Sequence, residues 1–117
     1  MTKRERPRWQ NLYPWEQQII EDWITRYWVD ADRRLCTYCG VLMHDGDPQH
    51  WRRRTKDHVV PVSVGGPADL YVYACRICNM KKGNSLDVAL AILSEDPELI
   101  ENTIRAVEKL PVTRRPE

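Results

Sequence analysis

An aspartate and a histidine stand side by side in the stretch KDHVVPVSVGG, which runs from Lys56 to Gly66. Asp57 and His58 come immediately before a short valine run that ends at a Gly-Gly turn. Buried strands do not favour an ionisable pair at their start unless that pair has a partner or a task. Imidazole is the side chain suited to taking a proton from water near neutral pH. The pair is therefore a candidate for general-base chemistry.

Two Cys-x-x-Cys turns flank this stretch: CTYCG supplies Cys36 and Cys39, and CRICN supplies Cys75 and Cys78. Each turn brings two thiolates to one side of a loop, and two turns complete a tetrahedral sulfur site of the kind that selects zinc. A closed four-cysteine site has no open position for a substrate, so the predicted zinc is structural and stabilises a polar central segment. A thioredoxin-like redox pair is the alternative, although neither pair lies between a strand and a helix of a βαβ unit.

Together these motifs resemble the HNH endonucleases of the zinc-stabilised type with four cysteines. The resemblance covers about residues 35–85 and rests on CTYCG, TKDHVVPVSVGG and DLYVYACRICNMKKG in that order. It implies a ββα-metal fold, in which two antiparallel strands and a helix surround one divalent cation. It also implies that His58 is the general base and that Asp57 and Asn79 bind the cation. A carboxylate and an amide oxygen are hard ligands suited to magnesium or manganese.

One position departs from the family pattern. Members usually carry an asparagine where this chain has Leu70, and that asparagine ties down the loop that carries the histidine. Leu70 cannot form those hydrogen bonds, so either Asp69 substitutes for it or the loop is looser and turnover is lower.

Basic residues concentrate in the middle of the chain. Residues 33–83 contain nine basic and four acidic side chains, a net charge of +5, whereas residues 84–110 contain two basic and six acidic ones, a net charge of −4. This asymmetry suits a localised phosphate-binding face. The candidate DNA contacts are Arg52, Arg53, Arg54, Lys56, Lys81 and Lys82. Strand alternation would let only about half of the first four face DNA together, and ordinary solubilising charge is the alternative.

The surrounding elements are predicted from periodicity. Apolar residues at helical spacing predict a helix from about Pro14 to Val29, whose tryptophans, Trp15 among them, are expected to pack in the core rather than stack on bases. TKDHVVPV and LYVYAC favour strands, with Pro61 implying an edge or a bend in the first, and the chain turns helical after Cys78. Two C-terminal helices are predicted, the first with Leu86, Ala89, Leu90 and Leu93 on one face, the second with Asp96 as N-cap, Pro97 in its first turn, and Ile100, Ile104 and Val107 on its apolar face.

The expected fold class is α+β: a basic N-terminal arm and tryptophan-rich helix (1–34), a zinc-stabilised nuclease core (35–85) and a C-terminal helical extension (86–117). The sequence has no apolar run long enough for a membrane span and no signal peptide, so a cytoplasmic location is the expectation. The leading hypothesis is a metal-dependent DNA endonuclease with little sequence specificity, acting alone, as a homo-oligomer or in a larger assembly. A non-catalytic zinc module that binds nucleic acid or protein is the alternative, and a redox protein is the third.

Overall fold

The computed structural model describes residues 8–30 and 34–112. Within these residues the chain forms four α-helices and a two-stranded antiparallel sheet, which confirms the predicted α+β class. In chain order the elements are α1 (Pro14–Asp30), β1 (Arg54–His58), β2 (Tyr71–Cys75), α2 (Arg76–Lys82), α3 (Asp87–Ser94) and α4 (Pro97–Ala106). Short 3-10 turns lie at Trp9–Asn11, Val62–Val64 and Val107–Lys109.

The two faces of the sheet carry different residues. Residues that pair across an antiparallel ladder lie on the same face of the sheet. Asp57 pairs with Val72 and Thr55 with Ala74, and the side chains of Val72 and Ala74 are buried. Lys56 pairs with Tyr73 and His58 with Tyr71, on the opposite face. The sheet therefore has an inner face that carries Asp57 and an outer face that carries His58.

The predicted first helix is confirmed, and α1 begins at Pro14 as expected. Ile20 and Ile24 lie in the core, and Trp23 packs against it with its ring stacked on Tyr27. The expectation that Trp15 is a core residue is wrong, because Trp15 is 63% exposed and stacks on Tyr13 instead. It lies in the first turn of the helix.

The strand predicted for TKDHVVPV ends at His58, earlier than expected. Val59 and Val60 are buried, but the chain then turns, and the backbone N–H groups of Val64 and Gly66 both donate to the carbonyl of Pro61. A Cβ atom on Gly66 would lie 1.9 Å from the carbonyl oxygen of Val60. The turn therefore requires glycine at this position. The valine run forms a buried bend, which is one of the two outcomes that Pro61 implied.

The C-terminal helices follow the prediction closely. The carboxylate of Asp96 accepts a hydrogen bond from the backbone N–H of Glu98 at 3.0 Å and so caps α4. Ile104 and Val107 are buried, although Val107 belongs to the 3-10 turn that follows α4. Leu90 was expected on the buried face of α3 but is 47% exposed. None of the described helices combines the length and the apolar character needed to cross a membrane.

Candidate active site

The four cysteines converge on one point between the first Cys-x-x-Cys turn and α2. Their Sγ atoms all lie within 4.8 Å of one another, and those of Cys39 and Cys75 are 3.8 Å apart. A zinc ion with Zn–S bonds of about 2.3 Å requires neighbouring sulfurs to lie about 3.8 Å apart in a tetrahedron. The described residues contain no other group of three or more histidine, cysteine or acidic side chains placed to hold a metal. The donor set thus fits a zinc ion.

The clustered thiols shift one another's pKa values in opposite directions. Hydrogen bonds from Cys75 and Cys78 hold the pKa of Cys36 far below its usual value. The same hydrogen bond raises the pKa of Cys75 to about 12, and the pKa of Cys78 is raised as well. Four sulfurs at this spacing can carry more than one negative charge only beside a positive ion. Because the two pairs form one cluster, neither stands alone as a dithiol redox pair.

Asp57, His58 and Asn79 line one cavity of about 230 Å³. Asp57 and His58 come from β1, and Asn79 comes from α2, one residue after Cys78. Pro61, Val62 and Ser63 close one side of this cavity, and Gly83 and Asn84 close another. The three residues singled out in the sequence therefore meet, although they lie as many as 22 positions apart (Asp57 to Asn79).

The Asp57 side chain is buried and held from two sides. The hydroxyl of Tyr38 donates to its Oδ2, and Nζ of Lys82 lies 3.3 Å from the same oxygen. Burial raises the pKa of Asp57, and the charge of Lys82 opposes that rise. No buried side-chain nitrogen or oxygen of the described residues lacks a hydrogen-bond partner, and neither contact uses Oδ1. Oδ1 is thus the carboxylate oxygen left to face the cavity.

His58 is fixed through one of its two ring nitrogens. Its Nε2 lies 3.0 Å from the carbonyl oxygen of Ala68, in the loop between β1 and β2. A carbonyl oxygen can only accept a hydrogen bond, so Nε2 carries a proton. In the neutral ring, Nδ1 then holds the lone pair and is the atom able to accept a proton.

Side chains of helix α2 donate hydrogen bonds to the edge of β1 that does not pair with β2. The Asn79 side-chain amide donates to the Thr55 hydroxyl at 2.9 Å and to the carbonyl of Lys56 at 3.3 Å. Nζ of Lys82 donates to the carbonyl of His58 at 3.1 Å. Unpaired strand edges expose such carbonyls. These bonds set the position of α2 relative to Asp57 and His58.

Residues 36–91, just under half of the 117 residues, match the family model described as HNH endonuclease. The predicted resemblance is confirmed. No curated protein and no solved structure matches the chain. The matched HNH segment contains all four cysteines together with Asp57, His58 and Asn79.

The loop of the HNH segment that carries Leu70 is held differently from either expectation. Asp69 is exposed, and its carboxylate forms no hydrogen bond or ion pair within residues 8–30 and 34–112. Leu70 packs against the hydrophobic core instead, and its backbone N–H donates to the carbonyl of Pro67. Together with the bond between His58 and Ala68, these contacts close the loop through backbone and apolar packing.

The predicted DNA contacts of the HNH segment separate into two groups. Arg54 and Lys56 lie on the outer face of the sheet, over the rings of Tyr73 and Tyr71 respectively. Arg54 also pairs with Asp45 at 3.0 Å. The remaining cations make backbone contacts: Arg52 with Leu42, Arg53 with Asp45 and Gly46, and Lys81 with Glu108.

Lys82 differs from the other five cations. It was predicted to contact phosphate, but its side chain is 1% exposed and its ammonium is turned inward to Asp57. A phosphate outside the protein has no surface of Lys82 to bind. Sequence reasoning also missed Tyr38, a fully buried residue between the two cysteines of the first turn. A tyrosine inside a tight turn carries no signal of a distant partner, so only the fold identifies its contact with Asp57.

A larger groove of about 790 Å³ lies between α1, α4 and the first cysteine turn, and it shares no lining residue with the cavity at His58. Its walls include Trp23 and Tyr27 from α1 and Arg105 from α4. The family motif and the hydrogen-bonded histidine lie at the smaller cavity, which is therefore the candidate active site.

Proposed function

We propose that this chain is a metal-dependent DNA endonuclease that hydrolyses phosphodiester bonds, cutting or nicking its substrate. The observation that carries the proposal is the meeting of Asp57, His58 and Asn79 at one cavity, with the His58 ring anchored so that Nδ1 is the proton acceptor. A module that only binds zinc and a partner has no need of this combination. The match of the surrounding residues to HNH endonucleases supports the same reaction class.

The residues suit a hard divalent cation. Asp57 and Asn79 line the same cavity, and magnesium and manganese prefer carboxylate and amide oxygens. When bound, the cation supplies positive charge to the scissile phosphate and the departing oxygen. We propose magnesium or manganese in this role and zinc at the four cysteines. The soft thiolates and the hard oxygens separate the two kinds of metal.

His58 performs the proton transfer in this proposal. Nδ1 removes a proton from a water molecule, and that water attacks phosphorus in line with the bond to the 3′ oxygen. This bond breaks as the new P–O bond forms, and the departing 3′ oxygen takes a proton from solvent water, which leaves 5′-phosphate and 3′-hydroxyl ends. The hydrogen bond from Nε2 to Ala68 stabilises the imidazolium that results. The backbone of Ala68 thus fixes both the tautomer and the direction of the base.

DNA is the proposed substrate. Arg54 and Lys56 lie on the same face of β1 as His58, so a phosphate backbone lying along that face meets cations before it meets the base. Such contacts position DNA without reading its sequence. Lys82 is excluded from this group by its burial.

Relaxation of supercoiled plasmid tests the proposal. We expect wild-type protein to relax it with magnesium or manganese and His58→Ala to be slower by about 10²–10⁴-fold, the usual contribution of a general base. His44→Ala is the matched control, since this histidine does not line the cavity. If His58→Ala cuts as fast as wild type in protein free of contaminating nuclease, the assignment of His58 is wrong. A wild-type protein that cuts with neither metal supports the non-catalytic zinc module instead.

A further inference from the structure

The carboxylate at the centre of the proposed cation site already has a positive partner within the chain. Asp57 and Lys82 are each 3% exposed, and their charged atoms lie 3.3 Å apart. Buried charges persist only where they are paired and hydrogen-bonded. The Lys82 ammonium also donates to the carbonyl of His58, and the Tyr38 hydroxyl donates to Asp57. The negative charge of Asp57 is therefore already balanced by Lys82 within the protein.

The rest of the cavity adds no further negative charge. Besides Asp57 it is lined by Lys56, His58, Pro61, Val62, Ser63, Asn79, Gly83 and Asn84, none of which is acidic. Magnesium and manganese sites are normally built from one or two carboxylates together with substrate phosphates and water. Here the charge of the single carboxylate is balanced by Lys82. Without DNA, the cavity therefore lacks the net negative charge that holds a dication.

The Lys82 ammonium is held beside Asp57. Its side chain is enclosed on α2, and moving the ammonium away would leave Asp57 as a buried, unpaired charge. A cation that enters beside Oδ1 therefore does so next to a fixed positive charge. A DNA phosphate in the cavity would supply the missing negative charge.

We infer that Lys82 keeps the divalent cation from loading onto the free protein, so that the cation binds together with the DNA phosphate. This inference rests on the proposed function, because it assumes that Asp57 is a ligand of the cation. It assigns Lys82 a positioning role as a built-in counter-ion that sets the order of binding. A purely structural lysine would leave the affinity for the cation unchanged.

Manganese binding without DNA gives the direct test. Free Mn²⁺ is measured by electron paramagnetic resonance in zinc-loaded protein and in Lys82→Met, a variant of similar length without the charge. We expect Lys82→Met to bind Mn²⁺ about 10- to 1,000-fold more tightly than wild type, the range by which one nearby like charge shifts proton binding. Lys81→Met is the control in this DNA-free measurement, because Lys81 lies on the same helix but bonds to Glu108 outside the cavity. Equal affinities of Lys82→Met and wild type would overturn the inference.

One further variant and one further measurement keep the test decisive. Adding Asp57→Asn to Lys82→Met should abolish the gain in affinity; a gain that persists would place the cation elsewhere and refute the inference. If zinc-loaded Lys82→Met is unfolded in buffer without magnesium or manganese, Mn²⁺ should restore its circular dichroism spectrum by replacing the missing counter-ion of Asp57. Failure of Mn²⁺ to restore the fold would count against the inference.

DNA supplies the second arm. In His58→Ala, which should bind DNA without cutting it, a 12-base-pair duplex should tighten Mn²⁺ binding by about tenfold or more, the size of a typical coupling between sites. Equal affinity with and without bound duplex would overturn the inference. A protein that binds no DNA would refute the proposed function, and the DNA-free comparison of Lys82→Met with wild type would still decide the role of Lys82.

Discussion

Replacing Tyr38 by phenylalanine removes a single buried oxygen and tests the contact on which the position of Asp57 depends. The Tyr38 ring is fully buried, and its hydroxyl donates to Oδ2 of Asp57. The ring itself stays in Tyr38→Phe, so the only loss is a hydrogen bond to a charged group. Such bonds contribute about 1.5–3 kcal/mol. The expected loss in free energy of unfolding is therefore about 1.5–3 kcal/mol, a large part of a typical total of about 5–15 kcal/mol.

Urea unfolding of zinc-loaded protein, followed by circular dichroism, measures this loss. Tyr13→Phe is the matched control, since Tyr13 is 66% exposed, and we expect it to change stability by no more than about 0.5 kcal/mol. In an Asp57→Asn background the acceptor is neutral, so the effect of Tyr38→Phe should fall to about 1 kcal/mol. A loss below about 0.5 kcal/mol in the wild-type background, or the same loss in both, would refute the charge-assisted hydrogen bond.

Three further predictions concern the zinc, the turn at Gly66 and the proposed DNA contacts on the outer face of the sheet. Elemental analysis should find one zinc per chain, and Cys78→Ser should lose both the zinc and cooperative unfolding; less than about half an equivalent in wild type would refute the site. Gly66→Ala should lower the free energy of unfolding in the same urea assay by about 3 kcal/mol or more, because its Cβ would meet the Val60 carbonyl. Gly40→Ala is the control: it is strained only by its positive φ and should lose about 1 kcal/mol. We expect Arg54→Ala and Lys56→Ala each to reduce the slope of log DNA affinity against log salt concentration by about one unit, as measured by fluorescence anisotropy. An unchanged slope would mean that these cations contact no phosphate.

The sequence predicts features that depend on neighbouring residues. The Cys-x-x-Cys spacing fixes a turn that places two sulfurs together, and the structure brings both turns into one cluster, as expected. The N-cap at Asp96 and the start of α1 at Pro14 follow from the same kind of local rule. The match to HNH endonucleases was likewise visible in short motifs, because those motifs keep a fixed order along the chain.

Features that depend on which surface an element buries could not be predicted in the same way. Trp15 has the spacing of a core residue, yet within the described residues its side chain is left 63% exposed. The valine run after His58 has the composition of a strand, and Pro61 left an edge or a bend open. The Pro61 carbonyl accepts two backbone N–H groups and turns the chain. Lys82 resembles its neighbour Lys81 in sequence, and only the packing of α2 against β1 separates the buried cation from the partly exposed one.

The position of Asp57 depends on both cysteine turns at once. Tyr38 lies between Cys36 and Cys39, and Lys82 lies four residues after Cys78, one turn further along α2. Both of these partners contact the same carboxylate oxygen. A zinc ion that holds the two turns together would therefore also hold both partners of Asp57, since a shift of either turn would move one of them. This linkage is a physical reason why a segment with so small a sheet can keep its carboxylate and its histidine at fixed positions around one cavity.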